Sequence, residues 1–186
     1  MKKKQKIIFA LAVRYVIIRS RGVIGMDVIR NDEEILNLIK CEKKLLKKPP
    51  NPKKTNRDFH TKFNVISTEK SLEFQVFFAQ NSRLRDDFSL GLMLDKFQLF
   101  RCNGFHGTTI AGFHQHVHHA QIHSHTLTFD DIMNGRDSNP SKIDHLTSEY
   151  FDFLSAQRYF LRACGISNYQ DYFDFSKLDQ FSLFEG

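Results

Sequence analysis

The chain has 186 residues, enough for one domain with its own core and marginal for two. Hydrophobic residues at 41% and charged residues at 26% are ordinary for a globular protein, and three cysteines without paired spacing (Cys41, Cys102, Cys164) exclude a disulfide framework or a CxxC zinc site. The formal charge of +6 would point to an anionic partner, but it is concentrated at one end: residues 1–25 hold seven Lys and Arg and no acid, and removing those seven from the 27 leaves 20 basic against 21 acidic residues, a net of −1.

The opening stretch, "MKKKQKIIFALAVRYVIIRSRGVIG", starts basic and continues into the apolar run Ile7–Val13. Arg14, Arg19 and Arg21 interrupt it, no small-residue cleavage site follows, and it is too short and too charged to span a membrane. A mitochondrial-type presequence would fit the charge, but the rest of the chain lends it no support. Residues 1–25 therefore read either as a leader translated from Met1 or as an upstream mis-start, in which case "MDVIRNDEEILNLI" from Met26 is the native start. Ser20-Arg21-Gly22 can be encoded by a purine-rich ribosome-binding sequence upstream of Met26; the nucleotide sequence tests this. Residues 26–186 then form a single domain, with a reducing cytoplasm as its simplest compartment.

Between Asp27 and Lys48, Val28, Ile35, Leu38, Ile39, Leu45 and Leu46 approximate a helical stripe. Asn31 or Asp32 is its expected cap, with Glu33 and Glu34 in the first turn. The Pro-rich basic linker Lys47–Arg57 cannot continue that helix. Strands follow: one around Phe63, Val65 and Ile66, then "SLEFQVFFAQ" with Leu72, Phe74, Val76 and Phe78 on one face. "DFSLGLML" alternates in the same way through Phe88, Leu90, Leu92 and Leu94, and Asp95-Lys96 turns the chain into "FQLFRC". This reads as an antiparallel meander with one buried face. Ile143–Ala163 reads as a second helix with Ile143, Leu146, Tyr150, Phe153, Leu154, Phe160 and Leu161 on its apolar side, ended by Gly165. An aromatic, acidic tail (about 167–186) docks on the core or presents a partner-binding surface. The expected fold class is α+β: an antiparallel sheet of about four strands with an N-terminal and a C-terminal helix packed on it.

Phe105–Thr126 holds seven of the nine histidines and permits three chemistries. If Phe113–His119 is extended, His114, His116 and His118 share a side and can bind zinc or another divalent transition metal, with His123, His125 and Asp130 as further candidate ligands. No HExxH occurs, so the cofactor expectation is either none or such a metal. Metal-free acid/base work on RNA needs a base, an acid and a cation for the phosphate. Arg101, His106 and His123 supply these, with Asn103 orienting a group. "HGT" at His106–Thr108 matches the HxT unit of two-histidine phosphoesterases, but no second HxT exists. The third option is structural: the histidines cap turns, pair with Asp130 or Asp131, or lie on a solvated loop. The cysteines read as small buried hydrophobes, and the Lys43–Lys54 charge run as a solvated face.

"FQVFFAQN" at Phe74–Asn81, "DDFSLGL" at Asp86–Leu92, "FRCNGFH" at Phe100–His106, "IHSHT" at Ile122–Thr126 and "RACGI" at Arg162–Ile166 follow in this order. Together they resemble a family of small uncharacterised bacterial proteins often carried on mobile elements, over roughly Ile29–Ile166. Cys102 stands where that family carries an aromatic, and Gln121 where the first histidine of an H-I-H unit would fall. The corner and the histidine segment are also distantly similar to toxins of bacterial toxin–antitoxin pairs. The resemblance implies a toxin-like factor acting on RNA through a histidine-rich site, with an antitoxin as protein partner; the cysteine content keeps the expected compartment cytoplasmic, and the short, charged leader leaves no membrane association expected. The alternatives are a non-enzymatic interaction protein (antitoxin-like or a phage counter-defence factor) and a His-coordinated metal-dependent hydrolase. Oligomeric state is not legible.

Overall fold

A computed structural model describes residues 29–105, 121–137 and 143–176. The start at Met26, the leader and the end of the tail lie outside the described residues.

Helix α1 spans Asp32–Lys40. The Asn31 side chain caps it by accepting from the Glu34 amide at 2.9 Å, and three acids fill the first turn. Ile35, Leu38 and Ile39 turn inward at helical spacing. The helix stops at Cys41, well short of Lys48, because the chain straightens to pair with the sheet. Leu45, assigned to the helix stripe by periodicity, lies instead in β1 (Lys44–Leu45), and Leu46 is exposed. The Pro-rich linker also contains a strand, β2 (Lys53–Lys54). The Lys43–Lys54 run is not a uniformly solvated face, because Lys43 is fully buried.

The sheet is antiparallel throughout and larger than the four strands expected. β3 (Asp58–Ser67), β4 (Leu72–Asn81), β5 (Phe88–Leu94), β6 (Phe97–Asn103), β7 (His123–Thr126) and β8 (Ile143–Leu146) follow in sequence. Seven strands lie in the order β1-β3-β4-β5-β6-β7-β8, and β2 also pairs with β3. Asp95, at φ 50°, turns β5 into β6. A bulge follows: Leu92 pairs with Phe100 but Met93 with Gln98, so Leu99 is the extra residue.

Alternation gives the sheet two faces. Phe63, Val65, Phe74, Val76, Phe78, Leu90, Leu92, Phe100 and Cys102 belong to the core. Helix α3 (Phe153–Ala163) packs there: Phe160 stacks on Phe100 with ring centroids 6.0 Å apart and meets Phe78 edge-on at 5.9 Å. The chain returns through a 3₁₀ turn (Tyr169–Asp171) to place Phe173 against Phe63 and Phe78, so the described part of the tail docks on the core.

The second helix is shorter than Ile143–Ala163. Its first part is strand β8, paired with β7, and Leu146 is exposed. The helix begins only after Asp152, whose carboxylate accepts from the Ser155 amide at 2.7 Å in a reciprocal capping box. Its end is at Gly165, φ 65°, where Ile166 N–H reaches back to the Leu161 carbonyl. A short helix, α2 (Phe129–Met133), carries a capping box of its own between Thr128 and Asp131. Among the described residues no helix is long and apolar enough to cross a membrane.

Candidate functional site

The face of the sheet opposite the core carries polar chemistry. β5, β6 and β7 align Ser89 with Asn103 and Asn103 with His123; one pair further along, Gly91 meets Arg101 and Arg101 meets His125. Residues two apart on a strand share a face. Arg101, Asn103, His123, His125 and Ser89 therefore stand on one side of three adjacent strands, while Cys102 and Ser124 point to the other.

The group has a buried half and an open half. His123 and Asn103 are buried, whereas Arg101, His125 and Ser89 are half-exposed. His123 Nδ1 lies 2.7 Å from the Gln121 carbonyl oxygen. A carbonyl only accepts, so Nδ1 carries the hydrogen. In the neutral ring Nε2 then presents its lone pair to Asn103 Nδ2, 3.2 Å away. This leaves Asn103 Oδ1 buried with no hydrogen-bond partner among the described residues. The His125 ring meets His123 edge-to-face, centroids 4.8 Å apart.

Arg101 donates from Nε to Ser89 Oγ at 2.7 Å. No carboxylate pairs with it among the described residues, and burial pulls its guanidinium below the ordinary value. A partly desolvated cation without a counter-charge is costly, and a planar fork of donors suits an oxyanion.

Tyr150 holds the strands from the core side. Its hydroxyl lies 2.7 Å from the His123 carbonyl and 3.2 Å from that of Asn103, so it donates into the β6–β7 pair directly behind the site. Burial pushes its phenol well above the ordinary value. The corner after β6 depends on closeness: a Cβ on Gly104 would stand 2.0 Å from the Asp86 carbonyl oxygen.

Of the residues singled out in the sequence, Arg101, Asn103 and His123 thus come together on one face. His106, His114, His116 and His118 lie outside the described residues. Among the described residues no three His, Cys, Asp or Glu side chains converge as a metal site would require. Asp131 is occupied in capping α2 and in an ion pair with Arg136 at 2.9 Å. Ser89, His125 and Tyr150 complete the group: His125 was singled out in the sequence only as a further candidate metal ligand, Tyr150 only as an apolar position, and Ser89 not at all. His125 is legible in retrospect, since it shares a strand face with His123; Ser89 and Tyr150 reach the site only through tertiary pairing.

No protein-family model, curated protein or solved structure matches the chain.

Proposed function

We propose that the open sheet face is a metal-independent site for RNA phosphodiester chemistry, and that the protein acts as a toxin-like, ribonuclease-type factor. The observation that carries this is Arg101: a partly buried guanidinium held by Ser89, with no acid beside it among the described residues. A phosphate supplies the missing counter-charge. His125, across the strand pair from Arg101, is the half-exposed imidazole next to that phosphate. It takes the proton of a ribose 2′-hydroxyl as that oxygen attacks the adjacent phosphorus. The 5′-oxygen leaves with a proton from water, giving a 2′,3′-cyclic phosphate. His123 and Asn103 are positioning residues beneath it, locked by the Gln121 carbonyl and by each other.

The test is cleavage of end-labelled single-stranded RNA in EDTA. Wild type is expected to cut and leave cyclic-phosphate ends. His125→Ala and Arg101→Ala are expected to lose about a hundredfold or more in rate. Intact RNA with wild type, or undiminished cutting by Arg101→Ala, overturns the proposal.

A second reading, a non-enzymatic interaction protein, is favoured by a different observation. Exposed Leu84, Phe105 and Phe151 follow strand ends, and exposed Leu146 is itself the last residue of β8; the antiparallel topology gathers these at one end of the sheet. Growth arrest on expression that survives His125→Ala would select it.

A further inference from the structure

We infer that Phe77 is the stacking platform for an unpaired base of the bound RNA, which makes the site selective for single strands. The inference rests on the reading of Arg101 as a phosphate site. Phe77 on β4 alternates with core residues Val76 and Phe78 and so faces away from the core, outside its cluster. It pairs directly with Gly91, which in turn pairs with Arg101. Its ring leans over Gly91: a Cβ placed there would lie 2.1 Å from Phe77 Cε1. The missing side chain is what lets the ring tilt across β5 toward Arg101.

Two strand spacings, about 10 Å, separate the Phe77 and Arg101 backbones. With the ring tilted across that gap, a nucleotide can rest its base on Phe77 and its phosphate on Arg101. Lys62, exposed and paired with Phe77 from β3, supplies a cation on the far side for the next phosphate. The acids of this face stand away from the ring and are engaged: Glu73 accepts from Asn64 Nδ2 at 2.7 Å, and Asp58 meets His60 at 3.4 Å. An aromatic ring between two cations, with no free acid beside it among the described residues, matches the needs of a single-stranded polyanion with π-faced bases. Duplex bases, already stacked, cannot use it.

The experiment is a protein-observed NMR titration of the full chain with 3′-AMP and, separately, with inorganic phosphate. Phe77→Leu is expected to weaken 3′-AMP binding about tenfold and to leave phosphate binding unchanged. Arg101→Gln is expected to weaken both. If Phe77→Leu binds 3′-AMP as wild type does while Arg101→Gln still weakens both, the platform is overturned and the anion site stands. If Arg101→Gln weakens neither, the reading beneath it falls as well. Should Phe77→Leu fail to fold, Gly91→Ala displaces the ring without removing it. The same selective loss of 3′-AMP binding is expected of that variant, and unchanged binding overturns the platform.

Discussion

Lys43 carries its charge into the core and meets no acid there among the described residues. Its ammonium donates to the carbonyls of Ile39 at 2.8 Å and of Cys41 and Cys164 at 3.0 Å, and it lies 4.6 Å above the Phe74 ring. Three donors thus meet three carbonyls at the C-terminal ends of two helices, where cations are favoured. Lys43→Met keeps the length of the side chain but strands three buried acceptors. It is expected to destabilise the protein by about 3 kcal/mol, read as a lower urea midpoint at unchanged slope. None of this is legible locally, because Lys43 sits in a lysine-rich run and one of its acceptors is 121 residues away. Arg101 and Asn103 were legible by their chemistry, as a cation and an orienting amide; that they share a face follows from the strand Phe97–Asn103 that carries both. Tyr150 was read only as an apolar position; its hydroxyl has meaning only once β6 and β7 are paired.

At the level of elements, long strands announce themselves and short ones do not. β4 and β5 carry enough alternating residues to fix both identity and face. β1, β2, β7 and β8 have two to four residues each, too few for a period to register, so the sheet was undercounted. β8 misled further, since Ile143 and Leu146 stand three apart and extend the helical spacing of the segment behind them. The capping box Asp152–Ser155 is the physical boundary that periodicity missed. Asp152→Ala removes it and leaves the Ser155 amide without its acceptor. An expected loss of about 1 kcal/mol, measured by thermal or urea unfolding, comes from fraying of the first turn of α3. Ser155, buried beneath that turn, makes a shift of helix start to a later residue unfavourable.

For the molecule as a whole, the core contains ionisable groups that the fold keeps uncharged. Burial pushes the Cys102 thiol well above its ordinary value and raises Cys164 strongly, and the Tyr150 phenol moves the same way. Each therefore holds its proton more tightly folded than unfolded. Their contribution is intact below the unfolded thiol pKa of about 8.5 and is lost progressively as pH rises beyond it. Lys43 acts in the opposite sense. Burial lowers its pKa, so the folded state releases that proton first, and the cost of burying the charge is relieved as pH climbs toward about 10.4. Two thiols outweigh one ammonium, and net stability is expected to fall above about pH 8.5. Urea unfolding at a series of alkaline pH values checks this. The double variant Cys102→Ala/Cys164→Ala should show a flatter, or even rising, profile in that window, whatever its absolute stability; an equally steep fall would refute the assignment.

The clasp formed by Lys43 also bears on how the chain is made. Its first two acceptors come from residues next to it, but the third, the Cys164 carbonyl, belongs to the far end of the domain, and Ser167 N–H closes on the Lys43 carbonyl beside it. A ribosome delivers the chain from its N-terminus, so α1 and the first strands emerge long before their closing partners exist. Until residue 164 has cleared the exit tunnel, the ammonium lacks one of its three carbonyls and Phe78 lacks the rings of α3. The sheet can begin to pair during synthesis, but the helix that covers it is translated only after all of its strands.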